Sequence, residues 1–304
     1  MFPVLFSIGN ITVSSFGVFL TFGFLYGVFL VWRLTRAWGM DEEKILDLTL
    51  LTFIGGLLGA RVYFVIENLQ FFINSPLNIL LFTKYPGFSF WGAFLGGWLT
   101  LYFFARRKRV DFLRLADIAS VGFIGGLALS NIGCFLGGCG IGIQSSLFFA
   151  VNMVGQIGKR FPTQILEALL LLILLKIIWS KATHFHQRGK IVSLSLIYIG
   201  LIKLITEPLK ANHNEGFILS FVLFVLGITL FYKATKRNII EDIKGFFTSV
   251  GKFLISSNSR RIILVRVQKY WYNQTTTLAW KIRNIKKNLR RLNVKFSYKN
   301  NKLY

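Results

Sequence analysis

The stretch GGLALSNIGCFLGGCGIG occupies residues 125–142 and lies where a long apolar run ends. It contains seven glycines, two cysteines and one asparagine. Glycine has no Cβ and tolerates positive φ, so a glycine-rich junction lets the backbone come close to another helix or to a ligand. We therefore expect a binding site at this junction.

The composition of the chain indicates a membrane protein. The chain has 304 residues, of which 54% are hydrophobic, and its mean hydropathy is +0.57. It falls into apolar runs of about 17 to 25 residues, the length that a helix needs to cross a bilayer. This pattern predicts an all-α integral membrane protein with about seven transmembrane helices, at residues 15–32, 46–66, 88–105, 117–136, 162–179, 191–207 and 217–232.

Basic residues predict the orientation of these helices. They cluster after the first, third and fifth spans, whereas residues 1–14 carry no charge. By the positive-inside rule the N-terminus is outside and the C-terminus is cytoplasmic. An uncharged N-terminus also differs from a cleaved signal peptide, so we expect the first span to be retained.

The C-terminal part of the chain differs in composition from the rest. Residues 233–304 contain 18 of the 36 Lys and Arg residues, against only two acidic residues. We therefore divide the chain into a seven-helix membrane domain, residues 1–232, and a basic cytoplasmic tail, residues 233–304. Within the tail one helical face is predicted to be apolar and the remainder cationic, which favours a helix on anionic lipid; a solvated tail is the alternative. The residues of that apolar face are Leu278, Ile282, Ile285, Leu289 and Leu292.

Charged residues inside the spans are candidates for function, because a charge within a membrane is costly and usually paired. They are Arg61, Glu67, Asp117, Glu167, Lys203 and Glu207. Lys203 and Glu207 are four residues apart on one helical face, so they could also pair with each other as a structural element.

Six short motifs, in order, resemble the prolipoprotein diacylglyceryl transferase family. They are residues 59–61, GAR; 89–97, SFWGAFLGG; the aspartate at 117; 131–142, NIGCFLGGCGIG; 162–168, PTQILEA; and the set Tyr198, Gly200, Lys203, Glu207 and Lys210. The resemblance covers about residues 10–232 and leaves the tail outside it. It implies a bacterial cytoplasmic membrane enzyme that transfers a diacylglyceryl group from phosphatidylglycerol to the lipobox cysteine of a prolipoprotein.

The chain departs from the family pattern at five positions. Trp91 stands at the family's histidine and Asn131 at its signature arginine, while Lys203 and Lys210 replace arginines and Phe16 replaces a tyrosine. Trp91 fits a packing role among neighbouring aromatic residues.

The implied reaction needs a base and a clamp for phosphate. A thiol must lose its proton before it attacks the glyceryl carbon, and the glycerol phosphate that leaves is an anion. The candidate catalytic residues are Glu167, Lys203, Glu207 and Tyr198. The candidate residues for binding phospholipid are Arg61, Trp91, Asn131, Gly133, Gly138, Gln164 and Lys210.

Other residues with possible chemistry are less favourable. His184 and His186 fall in a cytoplasmic loop, and His213 is a lone histidine in an external loop. Cys134 and Cys139 could form a disulfide or bind metal, but we expect both to be packing residues. We expect no metal and no cofactor.

The expected partners are phosphatidylglycerol or another anionic phospholipid, the prolipoprotein signal peptide with its lipobox cysteine, and the membrane; nucleic acid is not expected. Two alternative functions stay open: a catalytically silent relative that binds phospholipid, and a small-solute transporter. A transporter is expected to contain inverted repeats, and the sequence has no convincing internal repeat.

Overall fold

A computed structural model describes residues 2–8, 11–73, 87–211 and 214–242, and beyond them 244–245, 248, 264–265, 268–269, 271–273, 275–277, 279–280, 283–284 and 287. The elements in chain order are β1 (Val4–Ile8), β2 (Ile11–Ser14), α1 (Ser15–Ala37), α2 (Glu42–Glu67), α3 (Leu69–Ile73), α4 (Phe90–Arg107), α5 (Phe112–Gly137), β3 (Val151–Asn152), β4 (Lys159–Arg160), α6 (Thr163–Ala182), α7 (Lys190–Thr206), a 3-10 turn (Glu207–Leu209) and α8 (Asn214–Thr235). β1 pairs with β2 and β3 with β4, both antiparallel.

The structure is mostly helical, as the composition predicts. Each predicted span overlaps one long helix, and within the described residues five helical segments are long and apolar enough to cross a membrane. Those five are Ser15–Ala37, Glu42–Glu67, Phe112–Gly137, Lys190–Leu209 and Gly216–Thr235. The helices extend beyond the predicted spans where a side chain caps them: α5 begins at Phe112 because Asp111 accepts the N–H groups of Leu113 and Arg114.

Glycines let pairs of helices approach closely. A Cβ added to Gly23 would lie 2.7 Å from the Gly126 carbonyl oxygen, where α1 contacts α5. A Cβ on Gly59 would lie 2.5 Å from the Gly92 carbonyl oxygen, where α2 contacts α4. Small residues on facing helices permit such backbone contacts, which help to hold helices together where no hydrophobic effect acts between them. The glycines in the spans therefore fix the spacing of the bundle.

Asp117 joins α5 to the start of α7. Its side chain is fully buried and accepts the Gly189 N–H and the Val192 N–H, each at 2.7 Å. Gly189 is the N-cap residue of α7 and Val192 lies in its first turn, where backbone donors have no partner within the helix. A buried carboxylate at a helix N-terminus also interacts favourably with the helix dipole. Asp117 thus sets where α7 begins and against which helix it packs.

The chain forms two compact units, Met1–Lys236 and Arg237–Tyr304. In the second unit the described residues from 239 onward are helical. The predicted apolar face of the tail, Leu278 to Leu292, lies outside the described residues, as does His213.

We expect Gly59→Ala to destabilise the protein, because the new methyl group would meet the backbone of α4. Overpacking of this kind typically costs about 1–3 kcal/mol. Gly97→Ala is the matched control in the same helix pair, since its Cβ would lie 3.7 Å from the Thr52 side chain. The melting temperature of the purified protein in detergent should fall for Gly59→Ala alone. Equal melting temperatures for the two variants would contradict the glycine contact.

Substitution of Asp117 should weaken the fold in a graded way. Asp117→Asn keeps one acceptor oxygen, whereas Asp117→Ala leaves both buried N–H groups unpaired at a cost of about 1–3 kcal/mol each. Asp47, which is exposed and 3.9 Å from Lys108, is the control: Asp47→Ala should change stability by less than about 1 kcal/mol. Thermal unfolding of the three variants should rank Asp117→Ala below Asp117→Asn and below Asp47→Ala; any other order argues against the cap.

Candidate functional site

Helices α1, α2, α4, α5, α6 and α7 surround a cavity of about 540 Å³. Its lining on α1 runs from Phe16 to Val31, a length of about 22 Å along the helix. Most of the wall is apolar. The charged side chains that line the described cavity are Glu167, Lys203 and Lys210, and they lie together at the end formed by α6 and the C-terminus of α7. The cavity therefore has one charged end and a long apolar body.

The charged end is a cluster of two carboxylates and two ammonium groups, in which Glu167, Lys203 and Glu207 are buried and Lys210 is half-buried. Glu167 Oε2 lies 3.0 Å from Lys203 Nζ, and Glu167 Oε1 lies 3.0 Å from Lys210 Nζ. Lys210 Nζ is also 2.9 Å from Glu207 Oε1, and the Thr206 hydroxyl donates to Glu167 Oε1 at 2.9 Å. The formal charges cancel, which removes much of the cost of burying them.

Lys203 pairs across helices and not along its own helix. The possible pairing of Lys203 with Glu207 is wrong in this structure, because Lys203 forms its ion pair with Glu167 of α6 and Glu207 forms its own with Lys210. The ammonium of Lys203 lies 4.3 Å from the centroid of the Phe90 ring, a cation–π contact. The N-terminus of α4, which carries Phe90, thereby meets the C-terminus of α7.

Asn131 and Gln164 line the same end of the cavity. The Asn131 amide donates to the Leu127 carbonyl at 3.0 Å, within its own helix. The Gln164 amide donates to the carbonyls of Cys139 and Gly140. Asn131 lies on α5, and Gln164 lies on the first turn of α6, three residues before Glu167.

Cys134 and Cys139 form a disulfide. The expectation that both are packing residues is therefore wrong: α5 ends at Gly137, and the left-handed conformation of Gly138 turns the chain back, so that Cys139 returns to Cys134. Both cysteines line the cavity. In the part of the chain that is described, no three His, Cys, Asp or Glu side chains form a group that could hold a metal ion.

The other candidate residues are not among the described residues that line the cavity. Arg61 is buried and donates to the Gly87 carbonyl at 3.2 Å, which holds the start of α4 against α2. Trp91 is buried and packs edge-on against Phe90. Tyr198 is half-buried against the core of the bundle. Gly133 packs against Phe19 of α1, and Gly138 ends α5 at φ 81°.

Two residues of the cluster were missed by sequence reasoning. Thr206 precedes Glu207 in α7, and an uncharged residue next to a charged one gives no distinct signal. Phe90 is one of many phenylalanines, 32 in the whole chain, so only the structure identifies it as the ring beneath Lys203.

Comparison with known proteins identifies the family of this chain. The family described as prolipoprotein diacylglyceryl transferase matches residues 3–233. Among curated relatives, the phosphatidylglycerol–prolipoprotein diacylglyceryl transferase of Clostridium tetani is 25% identical over 243 residues, which is 76% of this chain and 97% of the relative. The protein of the same name from Geobacter sulfurreducens is 27% identical, covering 78% and 96%, and that from Aeromonas salmonicida is 30% identical, covering 77% and 90%.

The match ends at residue 233, close to the end of α8 at Thr235, so the basic tail lies outside it. The matched residues include the motifs around the cavity and, except for the last two residues of α8, all the long helices of the described bundle. The chain is a multi-pass membrane protein and belongs to the prolipoprotein diacylglyceryl transferase family.

Proposed function

We propose that this chain transfers the diacylglyceryl group of phosphatidylglycerol to the lipobox cysteine of a prolipoprotein, and that the cavity with its charged end is the lipid site. The main support for this lipid site is that the charged side chains in the described wall lie together at one end of a long apolar cavity. These side chains are Glu167, Lys203 and Lys210. A phospholipid has the same division between a charged headgroup and two apolar chains.

The two lysines are the groups that bind phosphate. Each ammonium already lies 3.0 Å from a Glu167 oxygen, so a phosphate oxygen entering the cavity competes with that carboxylate for the same donors. Lysine acts on phosphate as a point charge, without the planar two-point geometry of arginine. The cation–π contact of Lys203 with Phe90 keeps one ammonium at the site while its anionic partner changes.

Glu167 is the proposed proton acceptor. Of the candidate catalytic residues, Glu167, Glu207 and Tyr198 could accept a proton; Glu167 lines the cavity, whereas Glu207 and Tyr198 are outside the described lining. When phosphate takes the two lysines, the Glu167 carboxylate becomes available to the substrate thiol. With Glu167 protonated, two ammonium groups face Glu207 and one phosphodiester, so the charges balance again.

The reaction then proceeds in one displacement. The thiol proton moves to Glu167, the sulfur forms a bond to the glyceryl carbon, and the carbon–oxygen bond to phosphate breaks. The products are the thioether and glycerol phosphate, whose additional negative charge is stabilised by Lys203 and Lys210. Asn131 and Gln164 border the headgroup, while Arg61, Trp91, Gly133 and Gly138 hold the surrounding helices.

The membrane arrangement belongs to the same proposal. The seven long helices of the described residues all cross the bacterial cytoplasmic membrane, with the N-terminus outside and residues 233–304 as a cytoplasmic tail on anionic lipid. Contacts between basic helix ends support this arrangement: Trp38 at the end of α1 donates to the Ala182 carbonyl at the end of α6, and Lys108 after α4 lies 3.9 Å from Asp47 in α2. The charged end of the cavity is then the outer end.

Transfer is tested with the purified protein, phosphatidylglycerol vesicles and a peptide with a lipobox cysteine. The expected result is a peptide whose mass rises by one diacylglyceryl group, with glycerol phosphate released. No transfer above a vesicle-only control would refute the activity. Lipid binding without transfer would instead indicate the silent relative, and the variant with Trp91→His and Asn131→Arg would show whether activity can be restored.

Loss of either lysine should slow transfer. Lys203→Met and Lys210→Gln each remove one donor to the leaving phosphate, and we expect kcat/KM to fall by about 100-fold. Lys181, exposed at the opposite end of α6, is the control, and Lys181→Gln should leave kcat/KM unchanged. The measurement is the steady-state transfer rate with equal amounts of folded protein. If all three variants transferred at rates within a factor of two of the wild type, the two lysines would not be the phosphate-binding groups.

Chain-length selectivity should depend on Ala119, which lines the cavity on α5 away from the cluster. Ala119→Phe shortens the apolar body, so kcat/KM for dipalmitoyl phosphatidylglycerol should fall by about tenfold relative to the dioctanoyl lipid, since each buried CH₂ contributes about 0.8 kcal/mol. Leu172→Phe on the exposed face of α6 is the matched control. An unchanged ratio in Ala119→Phe would place the acyl chains elsewhere.

A further inference from the structure

The Cys134–Cys139 disulfide closes a short loop at the charged end of the cavity. Cys134 lies in the last turn of α5, and Cys139 follows the left-handed Gly138. The Cys139 N–H also donates to the Cys134 carbonyl at 3.0 Å. The bond thus fixes the direction in which the chain leaves α5.

The segment after the disulfide pairs with the segment that carries Lys210. Ile143 N–H donates to the Leu209 carbonyl at 2.9 Å, and Ala211 N–H donates to the Ile141 carbonyl at 2.9 Å. Gly142 and Lys210 face each other in this antiparallel bridge. The backbone of Lys210 is therefore held from the side of the disulfide loop, while its ammonium is held by Glu167 and Glu207.

The first turn of α6 holds the same loop from a third direction. Gln164 donates to the Gly140 carbonyl at 2.8 Å and Thr163 donates to it at 3.2 Å. The Phe161 N–H donates to the Ile143 carbonyl at 3.0 Å. The loop is thus the common neighbour of α5, α6 and the Lys210 segment.

We infer that the disulfide is a redox-sensitive positioning device for Lys210. While the disulfide is intact, the loop has few conformations, and its antiparallel bridge to the Lys210 segment holds Lys210 at the cavity. Reduction increases the number of conformations of the loop and weakens this bridge. This inference rests on the transferase activity proposed above only for its effect on rate. Its structural part, the coupling of the loop to Lys210, stands independently of that activity.

The reductant is a small dithiol. One thiolate of the dithiol attacks one cysteine sulfur, and the S–S bond of the protein breaks to give a mixed disulfide. The second sulfur of the dithiol then attacks the first and releases the cysteine bound to it. Two electrons and two protons pass to Cys134 and Cys139, and the dithiol becomes a cyclic disulfide. Cys139 is exposed and both cysteines line the cavity, so a small reagent can reach the bond.

Hydrogen–deuterium exchange of the full chain in nanodiscs tests the coupling, with dithiothreitol as the dithiol and mass spectrometry to verify reduction. Reduction should speed amide exchange in residues 138–144 and also in residues 207–211, but not in the centre of α1. The double variant with Cys134→Ser and Cys139→Ser should exchange rapidly in both segments with or without dithiothreitol. Acceleration confined to residues 138–144, or none in the reduced protein, would overturn the inference.

Transfer rates test the consequence for Lys210. Dithiothreitol should lower kcat/KM of the wild type by about tenfold, while the double serine variant, which reports any effect on the substrate thiol, should not respond. In Lys210→Gln, reduction should cause no further loss, because the group that the disulfide positions is absent. If reduction lowered kcat/KM equally in the wild type and in Lys210→Gln, the disulfide would have only a structural role. If the oxidised wild type shows no transfer, the proposed function fails, and the exchange data alone decide the coupling.

Discussion

Two lysines lie among apolar helices, Lys203 buried and Lys210 half-buried; both require carboxylates beside them, and Glu167 contacts both. Removing one partner of a buried ion pair leaves an uncompensated charge, which typically costs about 3–5 kcal/mol. The N-terminal part of α6 must therefore lie against the end of α7, and the turn that follows α7 must bring Lys210 back to the same carboxylate. The shape of the charged end follows from this requirement.

The remaining contacts place the other helices around that end. Phe90 at the start of α4 lies beside Lys203, and Arg61 of α2 holds the start of α4 through Gly87. Asp117 fixes the opposite end of α7 against α5. Glycine contacts bring α1 close to α5 and α2 close to α4. The cavity is what remains between helices whose ends are tied by polar contacts and whose middles are spaced by glycine.

Much of the helical frame could be predicted from the sequence, because the length of an apolar run indicates directly where a membrane helix begins and ends. The charged residues of the cluster could also be identified, since Glu167, Lys203 and Glu207 are conspicuous in apolar spans. Their partners could not: spacing along one helix suggested Lys203 with Glu207, whereas Lys203 pairs with Glu167 on another helix. The sequence left the disulfide as the less favoured possibility for a similar reason, because whether Cys139 returns to Cys134 depends on the left-handed turn at Gly138. The short hairpin of β1 and β2 before α1 had no counterpart in the predicted spans.

The central claim is that the charged end of the cavity holds the phosphate of a phospholipid and the apolar body holds its chains. The most direct measurement is an electron cryomicroscopy structure of the protein in nanodiscs that contain phosphatidylglycerol. We expect lipid density with its phosphate within hydrogen-bond distance of both Lys203 Nζ and Lys210 Nζ, and with acyl chains running past Ala119. A cavity without lipid, or a lipid whose phosphate lies at the opposite end, would contradict it.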